Sequence, residues 1–115
     1  MSRTNGRKKR IQKMESAYIQ CQVEPGMFKG EYLVQLTAAD PRQPNKPLIV
    51  KLFADERDVK RIRGTPEPQR HKPVRAWLRV TVANTREGFV EVVFPQPAQP
   101  VGESAFFEKD LVEAI

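Results

Sequence analysis

Val74-Arg-Ala-Trp-Leu-Arg-Val-Thr-Val82 runs through Ala83-Asn-Thr-Arg-Glu-Gly88 into Phe89-Val-Glu-Val-Val-Phe94. Ala76, Leu78, Val80 and Val82 fall on one side of the first stretch, and Trp77, Arg79 and Thr81 on the other, which is the two-residue period of a half-buried strand. Asn84 to Gly88 supply turn residues, and Val90, Val92 and Phe94 then resume the apolar face. The stretch predicts a β-hairpin.

An echo of it lies 59 positions earlier, where Ala17-Tyr-Ile-Gln-Cys-Gln-Val23 matches Ala76-Trp-Leu-Arg-Val-Thr-Val82 class by class. Glu15 to Glu24 therefore reads as a first strand, ended by Pro25-Gly26, and Glu31 to Thr37 as its hairpin partner, with Tyr32, Val34 and Leu36 on one face. Asp40 to Pro47 holds three prolines and predicts a loop, and Leu48 to Phe53 predicts a third strand. In Asp55 to Gly64 acids come first, bases last, and Val59 and Ile62 stand three apart, which predicts a short helix or 3₁₀ turn. Thr65 to Pro73, with Pro66, Pro68 and Pro73, predicts an extended connector.

Beyond the second hairpin, Pro95, Pro97 and Pro100 predict another rigid loop, and Gly102 opens a final strand through Ala105, Phe106 and Phe107. The exit of this strand, Phe106 to Ile115, matches Phe53 to Ile62 at an offset of 53. Two pseudo-repeats, 15–64 and 74–115, follow, joined by the connector 65–73. Three strands alone leave two open edges, and two such units can close on each other. The expected fold is all-β: a six-stranded barrel of SH3-like or OB-like kind, with short helical turns, forming one domain over 15–115. Residues 1–14, rich in Lys and Arg and nearly free of apolar side chains, predict a disordered basic arm.

Charge is unevenly spread. The chain of 115 residues carries a formal net charge of +6, and residues 1–14 contribute +6, 15–54 nothing, 55–75 +3, and 76–115 −3. This makes contact with phosphates plausible through the arm and connector. Cys21 is the sole cysteine, so an intrachain disulfide is excluded, and its inward phase suits a small buried hydrophobe. No apolar run approaches a membrane span and the basic N-terminus lacks the apolar stretch of a signal peptide, which points to the cytoplasm.

An enzyme is not expected. His71 is the sole histidine and sits in a Pro-flanked basic loop, and nothing brings it to Cys21 as base to nucleophile. One Cys and one His make no structural zinc site, no phosphate loop is present, and neither cofactor nor metal is implied. Asp55, Glu56 and Asp58, with Glu108 and Asp110 in the matching turn, suit helix-start positions better than an acid pair.

Tyr18 and Trp77 stand out, matched between the halves and both on the outward phase, with Gln20, Gln22, Arg79 and Thr81 beside them. Aromatics among hydrogen-bonding groups on a barrel face are how such folds stack single-stranded nucleic acid. The alternative is that the two rings lie under the Pro-rich loops or under Ile62 and Ile115. Candidate nucleic-acid contacts are therefore Arg7, Lys8, Lys9 and Arg10 in the arm, Lys60, Arg61, Arg63, Arg70, Lys72 and Arg75 around the connector, and Tyr18, Trp77 and Arg79 on the sheet. A rival expectation is a protein-interaction or assembly subunit, docking through an apolar strip of Met27, Phe28, Phe89 and Phe107.

Overall fold

The computed structural model describes residues 15–115; the arm expected at residues 1–14 lies outside them. Eight strands form one antiparallel sheet: β1 (Glu15–Pro25), β2 (Glu31–Asp40), β3 (Gln43–Asp55), β4 (Val59–Arg61), β5 (Val74–Arg86), β6 (Phe89–Ala98), β7 (Gly102–Glu108) and β8 (Val112–Ala114). The main path runs β3-β2-β1-β5-β6-β7, with β4 added to β5 and β8 to β1. The sheet curls into a half-barrel that brings β2 near β7 and β3 near β6.

The sequence predicts six strands; the two additional ones come from the segments predicted as short helical or 3₁₀ turns, and follow those turns. Glu56–Asp58 is a single 3₁₀ turn, started by the Asp55 side chain accepting from the Arg57 N–H, and Val59 onward is extended. Lys109–Leu111 repeats the turn without a side-chain cap. Beyond each turn the chain meets an open stretch of strand edge: Val59 pairs with Leu78, and Val112 with Ile19. Ladder hydrogen bonds and cover for a fully buried side chain outweigh the weak helical spacing of Val59 and Ile62.

The centre of the sheet is the β1–β5 pair, in register from Glu15 opposite Val82 to Val23 opposite Val74. Alternation decides what each face holds. Ala17, Ile19, Cys21 and Val23 from β1 and Ala76, Leu78 and Val80 from β5 are buried, and they meet Val34, Leu36, Val50 and Leu52 from β2 and β3 and Val90, Val92, Phe94 and Phe107 from β6 and β7. Phe94 and Phe107 touch edge to face at 5.9 Å. Among the described residues no polar or charged residue joins this core. A fully buried Leu or Ile contributes about 1.5–3 kcal/mol through its apolar surface, so the alternating face of β1 and β5 is the main stabilising element.

The proline stretches also differ from expectation. Asp40 pairs with Gln43 across a two-residue turn, so β3 starts well before Leu48. Pro44 and Pro47 lie where the register jumps, with residues 44–47 set against Ala39 alone. β6 likewise runs through Pro95 and Pro97, with residues 94–97 against Glu103 alone, before a turn with a cis Gln99–Pro100 bond. Proline has no N–H for the ladder and is accommodated at such bulges and edges. The edge of β3 is joined to this turn by reciprocal Lys51 and Gln99 N–H to carbonyl bonds of 3.0 and 2.8 Å.

Candidate nucleic-acid interface

The register of β1 against β5 fixes what the outer face presents. Tyr18 lies opposite Arg79, Gln20 opposite Trp77, and Gln22 opposite Arg75, all on the phase away from the core. From the other side of β5, Lys60 of β4 pairs with Trp77, and from the other side of β1, Glu113 of β8 pairs with Tyr18. Gln22 also continues across Gln35 of β2 to Lys51 of β3. One face thus collects Tyr18, Trp77, Lys60, Arg75, Arg79 and Lys51.

Tyr18 and Trp77 are half-buried, while Lys60, Arg75 and Arg79 are exposed. The Lys60 Nζ stands 5.3 Å from the centroid of the Tyr18 ring, a cation–π contact that spans β5. The Arg75 Nη2 donates to the Gln20 Oε1 at 3.5 Å. The ion pairs among the described residues are Arg42–Asp40, Arg57–Asp55 and Arg61–Glu67, so Lys60, Arg75 and Arg79 have no carboxylate partner there. Glu113 and Asp58 border the face, Asp58 sharing a shallow hollow with Arg79 and Thr81. Ile62, one of the residues that could cover the two rings, is half-buried, and Ile115 is 66% exposed.

Arg61 has a different position from its neighbour Lys60. One residue on, it takes the opposite phase, paired with Ala76, and its guanidinium turns into the connector. There it donates to the Pro66 carbonyl at 2.7 Å, the Thr65 Oγ1 at 3.3 Å and the Glu67 Oε2 at 3.4 Å. Its Nε is buried without a partner. Arg61 thus clamps the connector, and Lys60 alone of this pair joins the outer face.

The connector leaves β4 opposite Ala76 and re-enters the sheet at Val74, so it is a loop closing near the Arg75 end of the face. Arg63, Arg70 and Lys72 are exposed on it. Gln69 and Lys72 close a tight turn around Arg70 and His71, and the His71 N–H donates to the Glu24 Oε1 at 2.9 Å. With φ at 64°, His71 sits in the left-handed region that glycine occupies without cost.

One expected grouping comes apart. Of the apolar strip, Phe107 is fully buried and Phe89 half-buried, whereas Met27 and Phe28 are 76% and 71% exposed. Both sit on the β1–β2 turn, whose Met27 and Phe28 N–H groups donate to the Glu31 carboxylate at 2.9 and 3.3 Å. Gly26 is required here, since a Cβ would come within 2.7–2.9 Å of Glu31. Cys21 lies in the core, and burial pushes its thiol up to about 12. Asp55 is held below the usual carboxylate range, first by the Arg57 backbone N–H and then by its guanidinium. Among the described residues no three His, Cys, Asp or Glu side chains converge on a metal site, and no helix is long and apolar enough to cross a membrane.

Lys51 was not marked by the sequence, because its place on the outer face depends on the register of two further strand pairs. Its alternation with the apolar Val50 and Leu52 was the available signal. No protein-family model, curated protein or solved structure matches this chain.

Proposed function

We propose that the chain is a non-enzymatic, cytoplasmic binding module for single-stranded nucleic acid, RNA or DNA, acting through the outer face of β1 and β5. The observation that carries this reading is the grouping of Tyr18, Trp77, Lys60, Arg75 and Arg79 on one face, with three cations free of carboxylate partners among the described residues. Bases stack on Trp77 and Tyr18, and Arg75, Arg79 and Lys60 meet the phosphates; Arg63, Arg70 and Lys72, and Arg7 to Arg10, extend the cationic track. The reading takes 15–115 as one domain of small-barrel kind, and residues 15–64 and 74–115 as pseudo-repeats. The equivalent docking of β4 on β5 and β8 on β1 supports the latter.

Filter binding of a uridine or thymidine homopolymer across a salt series tests it. Affinity that falls linearly in log–log form is expected, with a slope of roughly 0.7 per phosphate neutralised on a single strand. No binding at low salt overturns the reading.

A second reading, a protein-docking subunit, is favoured by Met27 and Phe28, large apolar side chains held outward on a hydrogen-bonded turn. Replacing both with Ser separates the two functions, since nucleic-acid binding through the sheet face survives the change and docking through the turn does not.

A further inference from the structure

A second concavity lies at the other end of the sheet, between the β2–β3 turn and β7. It has a volume of about 620 Å³, within the range of small-molecule sites, and is lined by none of Tyr18, Lys51, Lys60, Arg75, Trp77 and Arg79. Its origin is local. The register break that sets residues 44–47 against Ala39 swings Lys46 outward from the ladder, and the small side chains of Ala38, Ala39, Ser104 and Ala105 leave the intervening space unfilled.

The lining has two chemistries. Leu48, Val101, Ala105 and Phe106 provide apolar surface, and Arg42, Lys46 and Arg86 provide cations. Asp40 is the one acid, and it is engaged by Arg42, whose Nε lies 3.6 Å away and whose backbone N–H donates to it at 2.9 Å. Lys46 and Arg86 have no carboxylate partner among the described residues. The Arg86 guanidinium lies over the Phe106 ring, 5.2 Å from its centroid, so a fixed positive charge borders an apolar surface.

We propose that this cleft binds a small amphipathic anion: a flat apolar body that lies against Phe106, Val101 and Leu48 and ends in a carboxylate or phosphate held by Arg86 and Lys46. A planar anionic group suits the guanidinium fork, and the body fills space left by the alanines. The site stands apart from the nucleic-acid reading and does not depend on it.

Amide chemical-shift titration of the full chain with 2-naphthoate, 2-naphthyl phosphate and 2-naphthol tests this. Saturable shifts centred on Ala38–Arg42 and Ser104–Phe106 are expected with one or both anions, at a dissociation constant of about 1 mM or tighter, and at least about fivefold weaker with 2-naphthol. The tighter of the two anions identifies the head group. Arg86→Ala weakens binding about tenfold and Arg86→Lys less, with both spectra otherwise native. No saturable shift, shifts confined to the β1–β5 face, equal binding of 2-naphthol, or unchanged affinity in a natively folded Arg86→Ala would overturn the proposal.

Discussion

Ile19 and Leu78 face each other at the middle of the β1–β5 pair, and each also receives a short strand from its free side, Val112 on Ile19 and Val59 on Leu78. Both are fully buried. The two residues are thus the point through which four strands are tied, and the registers on either side repeat about it. Leu78→Ala is expected to cost about 2–5 kcal/mol, and Ile19→Val about 0.5–1.5 kcal/mol, in urea unfolding followed by Trp77 fluorescence. A loss below about 1 kcal/mol for Leu78→Ala would show that this contact is not central to the fold.

Cys21 sets an alkaline limit on stability. Its thiol rises from 9.0 to about 12 on burial, so the native state retains a proton that the unfolded chain gives up. Its contribution is complete below pH 9 and is lost as pH rises from there toward 12, at about 1.4 kcal/mol per pH unit. Stability curves at pH 8, 9 and 10 are expected to fall for the native chain and to flatten for Cys21→Ala, and a thiol reagent at pH 8 is expected to react only on unfolding.

Arg61 predicts the behaviour of the connector. Its three bonds to Thr65, Pro66 and Glu67 hold the loop against the sheet. Arg61→Ala is expected to destabilise by about 1–3 kcal/mol and to open Arg63 and Arg70 to trypsin before the rest of the chain. Lys at this position reproduces the charge and not the fork, and is expected to rescue little. Trypsin resistance in Arg61→Ala equal to that of the native chain would remove the clamp.

On the outer face, Lys60→Gln is expected to lower the slope of log affinity against log salt by about 0.7, one single-strand phosphate, and Trp77→Ala to weaken oligonucleotide binding by about 1–3 kcal/mol at every salt concentration. Arg61→Ala leaves the slope unchanged if it acts only through the connector. An unaltered slope in Lys60→Gln would take this residue out of the interface.

Alternation made β1, β2, β5 and β6 legible, because a period of two with one apolar face admits few other structures. The offsets of 59 and 53 likewise pointed to segments that the sheet pairs in equivalent ways, Ala17 with Ala76 on inward positions and Val59 with Val112 at the strand additions. What escaped was set at long range. β4 and β8 are three residues each and are extended only because β5 and β1 offer an edge there. Pro44, Pro47, Pro95 and Pro97 signal a loop locally, yet register breaks in β3 and β6 hold them. The separation of Arg61 from Lys60 follows from that same docking of β4, and so does the cation–π contact across β5.

The most direct test of the account is fluorescence of Trp77, the sole tryptophan, during titration with a single-stranded homopolymer at low and moderate salt. Stacking of a base on the ring predicts saturable quenching whose midpoint shifts to higher concentration as salt rises. Binding detected by another signal while Trp77 emission stays constant, or no binding at low salt, would contradict the assignment of the β1–β5 face.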